Sequence, residues 1–225
     1  MSKKEEKKHD ELENVEHVLT TSEAFIEKYQ KQIIFGVGTV VLVVLVALSI
    51  NNFYLKPREV SAQNEMFKAQ AAFATDSFKV ALEGKGVESM GFKEIASEYS
   101  FTSSGNLAYA YAGICYYKLG QYDDAIKSLS QFDGKDNYFK TSITGLIGDC
   151  YVEKNEMTKA ISYFEKAADA NNSILSPVYL KKAGLVYESL KQLEEADKQY
   201  TTIKETYPKS PEASDIDKYI ARVQK

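Results

Sequence analysis

The chain has almost no histidine. His9 and His17 are its two, and both precede a long apolar run, so the large segment after that run has no imidazole. Histidine-based acid–base catalysis is therefore excluded there, as is a His-ligated metal. Cysteine is nearly as scarce. Cys115 and Cys150 form no CxxC pair and no zinc spacing, which leaves free core thiols as the simplest reading. Excess positive charge is missing too. From Lys56 onward there are 22 Lys plus Arg against 24 Asp plus Glu, a net charge of -2. That is not the clustered basic surface that nucleic acid requires. No phosphate-binding loop, zinc motif or nucleophile elbow is present, and Gly36-Val37-Gly38 sits inside the apolar run. No catalytic residue, cofactor or metal is expected. The pairs Asp123-Asp124 and Glu194-Glu195 fall at helix starts, where the helix dipole favours negative charge, so they are first of all capping features.

What the chain does have is an apolar run, Ile33 to Ile50, with no charge, Asn, Gln or Pro. At about 1.5 Å per residue it spans about 27 Å, close to the ~30 Å of bilayer hydrocarbon. Asn51, Asn52, Phe53 and Tyr54 follow it as residues suited to the water interface and headgroup depth, with Tyr29 and Phe35 for the opposite side. A signal peptide is the main rival. The run, however, begins 32 residues in and leaves through Asn-Asn-Phe-Tyr-Leu-Lys-Pro instead of a small-x-small site. The run contains no GxxxG, so nothing specific supports dimerisation through it. A buried core helix fits poorly with the charged segments on either side.

Residues 1–20 are expected to form a charged tail and 21–55 a juxtamembrane helix with the span, leaving 56–225 as one helical domain. Residues 1–13 are too charged to bury a core. From Leu12 the residues Val15, Val18, Leu19, Phe25, Ile26 and Tyr29 share one helical face, and Thr20-Thr21-Ser22-Glu23 matches a capping box. Lysines and arginines near the span do not settle its orientation, because a long following segment translocates largely regardless of charge.

Past Pro57 the pattern is helical and repeats. Tyr109, Ala112, Gly113, Tyr116, Tyr122, Ala125 and Leu129 recur 35 residues later as Thr144, Ile147, Gly148, Tyr151, Met157, Ala160 and Phe164. After 36 more they return as Leu180, Ala183, Gly184, Tyr187, Leu193, Ala196 and Tyr200. The period and pattern resemble the tetratricopeptide repeat. Small residues on the first helix (Gly113, Gly148, Gly184) and the second (Ala125, Ala160, Ala196) let paired helices approach, and large ones fill the space between. Two departures bear on the second repeat: Thr144 stands where a large residue is expected, and Asn155 where the first repeat has Gly120. Ser176-Pro177 and Ser210-Pro211 read as N-caps followed by a first-turn proline.

Phe92, Ile95 and Tyr99 share the spacing of Tyr200, Ile203 and Tyr207, which makes residues 60–100 a divergent fourth repeat with a long inner loop at Gly84, Gly86 and Gly91. Ala213, Ile216, Tyr219, Ile220 and Val223 make a one-faced capping helix. The fold class is all-α: a single N-terminal transmembrane helix followed by a tetratricopeptide-repeat solenoid of three clear repeats, the divergent one and the cap. Equivalent positions on adjacent first helices lie about 8 to 10 Å apart or more, and a disulfide needs Cα atoms within about 7 Å, so Cys115 and Cys150 are expected free and buried.

The resemblance implies a concave wall built by the first helices. It would contain Leu107, Ala110, Tyr111, Ile114, Tyr117 and Lys118, then Gly145, Asp149, Val152 and Glu153, then Val178, Lys181, Leu185 and Glu188. At the positions where chaperone-tail-binding members hold a carboxylate, this chain has Ala110, Ile114, Leu146, Val178 and Lys182, so a carboxylate clamp is not expected. Packing between repeats is the competing role for every wall residue.

The order of charged tail, Val15-Glu16-His17-Val18, apolar span and repeats resembles the YfgM-type ancillary subunits of the bacterial Sec translocon. The resemblance implies a single-pass inner-membrane protein with a cytoplasmic N-terminus and periplasmic repeats. Its implied partners are translocon subunits, a membrane-anchored chaperone-isomerase and exported chains, with residues 33–50 in the lipid bilayer. Other roles fit the same layout: an envelope scaffold for cell division or outer-membrane assembly, and an organellar import receptor with cytosolic repeats.

Overall fold

The computed structural model describes residues 28–224. The expected tail, its helical face from Leu12 and the capping box at Thr20 lie outside the described residues. The chain divides into two compact units, Met1–Lys56 and Pro57–Lys225.

In the first unit, α1 (residues 28–50) is the apolar run wound into a helix, and a π-helical turn, Asn51–Leu55, follows it. An 18-residue window here has a mean hydropathy of 2.9, and none of it is buried. Its large apolar side chains are exposed, from 39% at Ile33 to 78% at Phe35. By length and composition the helix can cross a membrane.

The second unit is helical. Three helix pairs follow the repeat register: α5 (Ser103–Lys118) with α6 (Tyr122–Leu129), α7 (Asn137–Glu153) with α8 (Met157–Ala168), and α9 (Leu175–Ser189) with α10 (Leu193–Thr206). The glycines do what their spacing predicts. A Cβ on Gly113 would stand 2.4 Å from Leu129 Cγ, one on Gly148 2.6 Å from Phe164 Cε1, and one on Gly184 2.3 Å from Tyr200 Cε1. Each first helix is thus pressed onto the large residue of its own second helix, and the small partners Ala125, Ala160 and Ala196 are all 0% exposed.

The turn inside each pair is the same. The amides of Gln121, Glu156 and Gln192 donate to the carbonyls of Tyr116, Tyr151 and Tyr187, and those of Gly120, Asn155 and Lys191 to Tyr117, Val152 and Glu188. These paired bonds close the helix ends with one left-handed residue: Gly120 at φ 73°, Asn155 at 60° and Lys191 at 64°. The loss of glycine at Asn155 therefore leaves the turn intact, and the third repeat holds even a lysine there. Thr144 has a local consequence instead. It borders a cavity of about 270 Å³ between α6, α7 and α8, with Leu129, Ile143, Ile147 and Tyr163.

Thr102 caps α5, accepting from the Gly105 amide at 2.9 Å, and Asp136 caps α7 through the Phe139 amide at 2.7 Å. Ser210 caps the 3-10 turn Pro211–Asp215, with Pro211 at its first position, as its sequence predicts. Ser176 does not cap α9, which begins one residue earlier. Asn172 takes that role, its Oδ1 accepting from the amides of Ile174 and Leu175 at 2.9 and 3.0 Å. Ser176 is fully buried and instead ties the preceding repeat to this one, donating to the Ala168 carbonyl at 2.6 Å. That turn and the following α11 (Ile216–Val223), which buries Ile216 and Val223 against the last pair, together form the cap.

The divergent unit is more elaborate than a helix pair. Between α2 (Lys56–Phe73) and α4 (Phe92–Glu98) the long loop contains its own short helix, α3 (Phe78–Glu83), and a 3-10 turn, Gly86–Glu88. Gly84 and Gly91 let two backbone segments touch there: a Cβ on Gly91 would lie 2.2 Å from the Leu82 carbonyl oxygen. Glu59 of α2 docks at the start of α5, accepting from the Ser104 hydroxyl at 2.6 Å and its amide at 3.2 Å. Arg58 pairs with Glu98 at 2.9 Å and lies 5.1 Å from the Tyr99 ring centroid. Phe73, Phe92 and Tyr111 complete an aromatic cluster, with Phe92 and Tyr111 stacked at 4.8 Å.

Cys115 and Cys150 are free and 0% exposed, and burial pushes both thiols up to about 12. A thiolate is the reactive form of cysteine, so these two are poor nucleophiles.

Candidate protein-binding face

The first helices α5, α7 and α9 carry the residues expected on the wall, and the structure divides those residues into buried spacers, packing residues, charged ties and an open remainder. Ala110 and Gly145 are buried between successive first helices. Ala110 is 0% exposed, and a Cβ on Gly145 would meet Tyr179 Cε1 at 1.9 Å. These two are spacers for the next repeat and offer no surface.

A second group is partly buried and committed to packing. Leu107 and Tyr111 join the N-terminal core, Ile114 and Tyr117 the middle one, and Val152 the C-terminal one. Tyr117 lies 5.8 Å from Tyr122, and burial, together with the carboxylates of Asp149 and Glu153, raises its hydroxyl above the ordinary range.

The charged members form ties between repeats. Asp149 receives Lys182 Nζ at 2.8 and 2.7 Å, joining the second and third repeats. Lys181 pairs with Asp215 of the cap at 2.7 Å and lies 4.4 Å from the Tyr219 centroid. That lysine bond holds the Asp215 carboxyl below its usual range. Glu188 takes Arg222 of α11 at 2.5 Å and the buried Tyr200 hydroxyl at 3.1 Å. Burial first, then Glu188, pushes that phenol well above its ordinary range. Glu153 accepts from the Tyr122 hydroxyl at 3.3 Å.

What remains open to solvent is Lys118, Glu153 and Leu185, the last 42% exposed, together with Val178, which lines a groove. That groove, of about 300 Å³, lies between α9 and the cap, with Val178, Lys181, Lys182 and Leu185 on one side and Pro211, Glu212, Ser214 and Asp215 on the other. Spacing along the first helices does not reveal it, because half its lining comes from the cap. Ser210-Pro211, the signal for the start of that turn, is the one trace of it in the sequence. No group of three or more His, Cys, Asp and Glu side chains fit to hold a metal ion occurs among the described residues.

Three stretches match models described as the tetratricopeptide repeat: residues 108–134, 145–174 and 180–210. Each overlaps one of the three helix pairs, beginning partway along its first helix. Those stretches are similar to tetratricopeptide repeats, and the second unit has a TPR-like solenoid fold. Among solved structures it is similar to "Podosopora anserina putative kinesin light chain nearly identical TPR-like repeats" and to a singly substituted form of that protein. Each is 12% identical, with a TM-score of 0.52, covering 72% of this chain and 84% of the other. It is also similar to BtubC (BKLC) from P. vanneervenii, at 14% identity and a TM-score of 0.39, covering 76% of this chain and 65% of that one. At such identities the first two establish a TPR-like solenoid and nothing about partners. No curated protein matches the sequence. A tetratricopeptide solenoid is a scaffold for binding other proteins.

Proposed function

We propose that this protein is a membrane-anchored, non-enzymatic interaction scaffold that serves as an accessory component of the bacterial Sec translocon and works with a periplasmic chaperone. The observation that supports the anchoring is α1: an apolar helix of membrane-spanning length with none of that apolar window buried, ahead of a TPR-like solenoid. Leaving that much apolar surface in water is unfavourable at about 25 cal/mol per Å², so a lipid environment accounts for it directly.

In this reading, residues 1–20 are a cytoplasmic tail, 21–55 hold the juxtamembrane helix and span, and 56–225 form a periplasmic binding domain. The partner-binding wall of this reading comprises Leu107, Tyr111, Ile114, Tyr117, Lys118, Asp149, Val152, Glu153, Val178, Lys181, Leu185 and Glu188. The exposed and groove-lining members among them make the contact, while those tied to the next repeat keep the wall in shape. The order of tail, Val-Glu-x-Val, span and repeats supports the translocon assignment.

The test is topology followed by neighbours. A reporter active only in the periplasm, fused after Lys225, is expected to be active, and a cytosol-only reporter silent. The opposite result removes the exported reading and promotes the import-receptor one. Crosslinking from Leu185 in intact cells is then expected to recover translocon subunits or an exported chain. Recovery of cell-division or outer-membrane-assembly proteins instead assigns the scaffold to that machinery.

A further inference from the structure

We infer that α2 pairs two copies of this chain, side by side in one membrane, through Val60, Asn64, Phe67 and Ala71. The inference rests on the anchored reading above and goes beyond it by naming a second copy as partner. The four positions follow one another at steps of four, three and four, the d, a, d, a order of a coiled-coil seam, and so share one face of α2. On the opposite face Ala62, Met66 and Ala69 are buried, the last two in the N-terminal core. The seam itself is bare. Val60 is 58% and Phe67 74% exposed, and Asn64 and Ala71 are exposed beside them.

Charge and alignment together select the occupant. Every charged side chain of α2 is engaged within its own chain: Lys56 with Asn52 at 3.0 Å, Arg58 with Glu98 at 2.9 Å, Glu59 with Ser104 at 2.6 Å, and Glu65 with Lys68 at 2.6 Å. None is left beside the seam to recognise a partner of opposite sign. Asn64 points to a copy of itself. Its amide both donates and accepts, so the same amide at the same height satisfies it, and a single Asn at an a position is what fixes a parallel, in-register pair. Anchored copies already have that alignment, because α2 follows the Asn51–Leu55 turn directly and so starts from the same membrane surface with the same polarity in each. A twofold axis between them sets Val60 on Val60 and Phe67 on Phe67 and needs no complementary surface elsewhere. Four residues a side are few beside the about 20 to 30 of a stable interface. Confinement to one bilayer, which raises the effective concentration, therefore belongs to the pairing.

The test uses the purified full chain reconstituted into phosphatidylcholine liposomes, with flotation to show insertion and mild oxidation followed by a non-reducing gel to show pairing. Cys115 and Cys150 are fully buried, so an added surface thiol is the one that reacts. Ala71→Cys is expected to give a disulfide-linked dimer, and Lys127→Cys, exposed on α6 away from the seam, to stay monomeric. Adding Phe67→Glu to Ala71→Cys places a charge in the seam and should lower the dimer yield about tenfold or more. The melt should not move with it, because Phe67 is exposed in the single chain. Ala71→Cys chains that float with the liposomes but stay monomeric overturn this inference and leave the anchored reading standing. So do chains that cross-link no faster than Lys127→Cys, or as fast with Phe67→Glu as without it. A chain that does not float overturns the anchored reading itself.

Discussion

The three regular repeats and the divergent unit ahead of them use the same residue types for different purposes. In the repeats, a glycine on each first helix sits against a large side chain of the second, and one hydrogen-bonded turn recurs three times. In the divergent unit, glycines serve backbone contacts and turns. Gly84 has φ 79°, and a Cβ on it would meet the Ser89 carbonyl oxygen at 2.3 Å. The Arg58–Glu98 pair ties α2 to α4 within that unit, and Glu59 at the start of α5 and the Phe73, Phe92 and Tyr111 rings join it to the solenoid. A repeat contact propagates because each copy needs only its neighbour, whereas the unit beginning the array has no preceding repeat and must be closed by particular side chains.

That contrast can be broken most strongly at the aromatic closure. Phe92 is 0% exposed and touches both other rings, so Phe92→Ala is expected to cost about 3 to 5 kcal/mol, read by denaturant unfolding. A cost below about 1 kcal/mol would mean the unit does not depend on this cluster. Next comes the repeat contact. Gly148→Leu must displace Phe164 and is expected to cost about 1 to 3 kcal/mol or more, seen as a clear fall in melting temperature. A melt within a degree of the parent would show that the second pair is not pressed together at this crossing.

The polar closure is weaker and depends on pH. Burial works against the Glu59 charge, yet the bonds from the Ser104 hydroxyl and amide outweigh it and hold its carboxyl below the ordinary 4.5. Because the folded value is depressed, this stabilisation is fully present above pH 4.5 and is lost as pH falls through the lower folded value. Glu59→Gln is expected to cost about 1 to 2 kcal/mol at neutral pH, with the difference from the parent shrinking in acid. A pH-independent difference would point to shape instead of charge. The smallest effect sharpens the shared turn. Lys191 holds φ 64° without being glycine, so Lys191→Gly is expected to gain about 0.5 to 1 kcal/mol by thermal unfolding, while Asn155→Gly gains less because Asn tolerates this conformation.

The repeat register was legible from the sequence because it rests on seven positions recurring together, and spacing is a property of the chain. The glycine crossings and the free, buried cysteines followed from the same register. The wall was legible only as a set of positions. Ala110 and Gly145 carry the right spacing but are spacers, and Lys181, Asp149 and Glu188 are engaged with residues some thirty positions away. Nothing local marks such pairs, since a helix face is defined by its own periodicity whatever stands opposite. Ser176-Pro177 has the local pattern of a cap and does not act as one for a related reason: Asn172 caps the helix start, and Ser176 makes a buried bond with the previous repeat.

By itself the sequence determined the helical class, the three repeats and the apolar run. Each of these depends on composition or on periods within one stretch of chain. Tertiary structure alone decided which wall residues stay exposed, that the loop of the divergent unit folds a helix of its own, and that the cap completes a groove with α9. Those features come from elements far apart in sequence meeting in space, where packing and hydrogen bonding select among surfaces that local patterns leave equivalent.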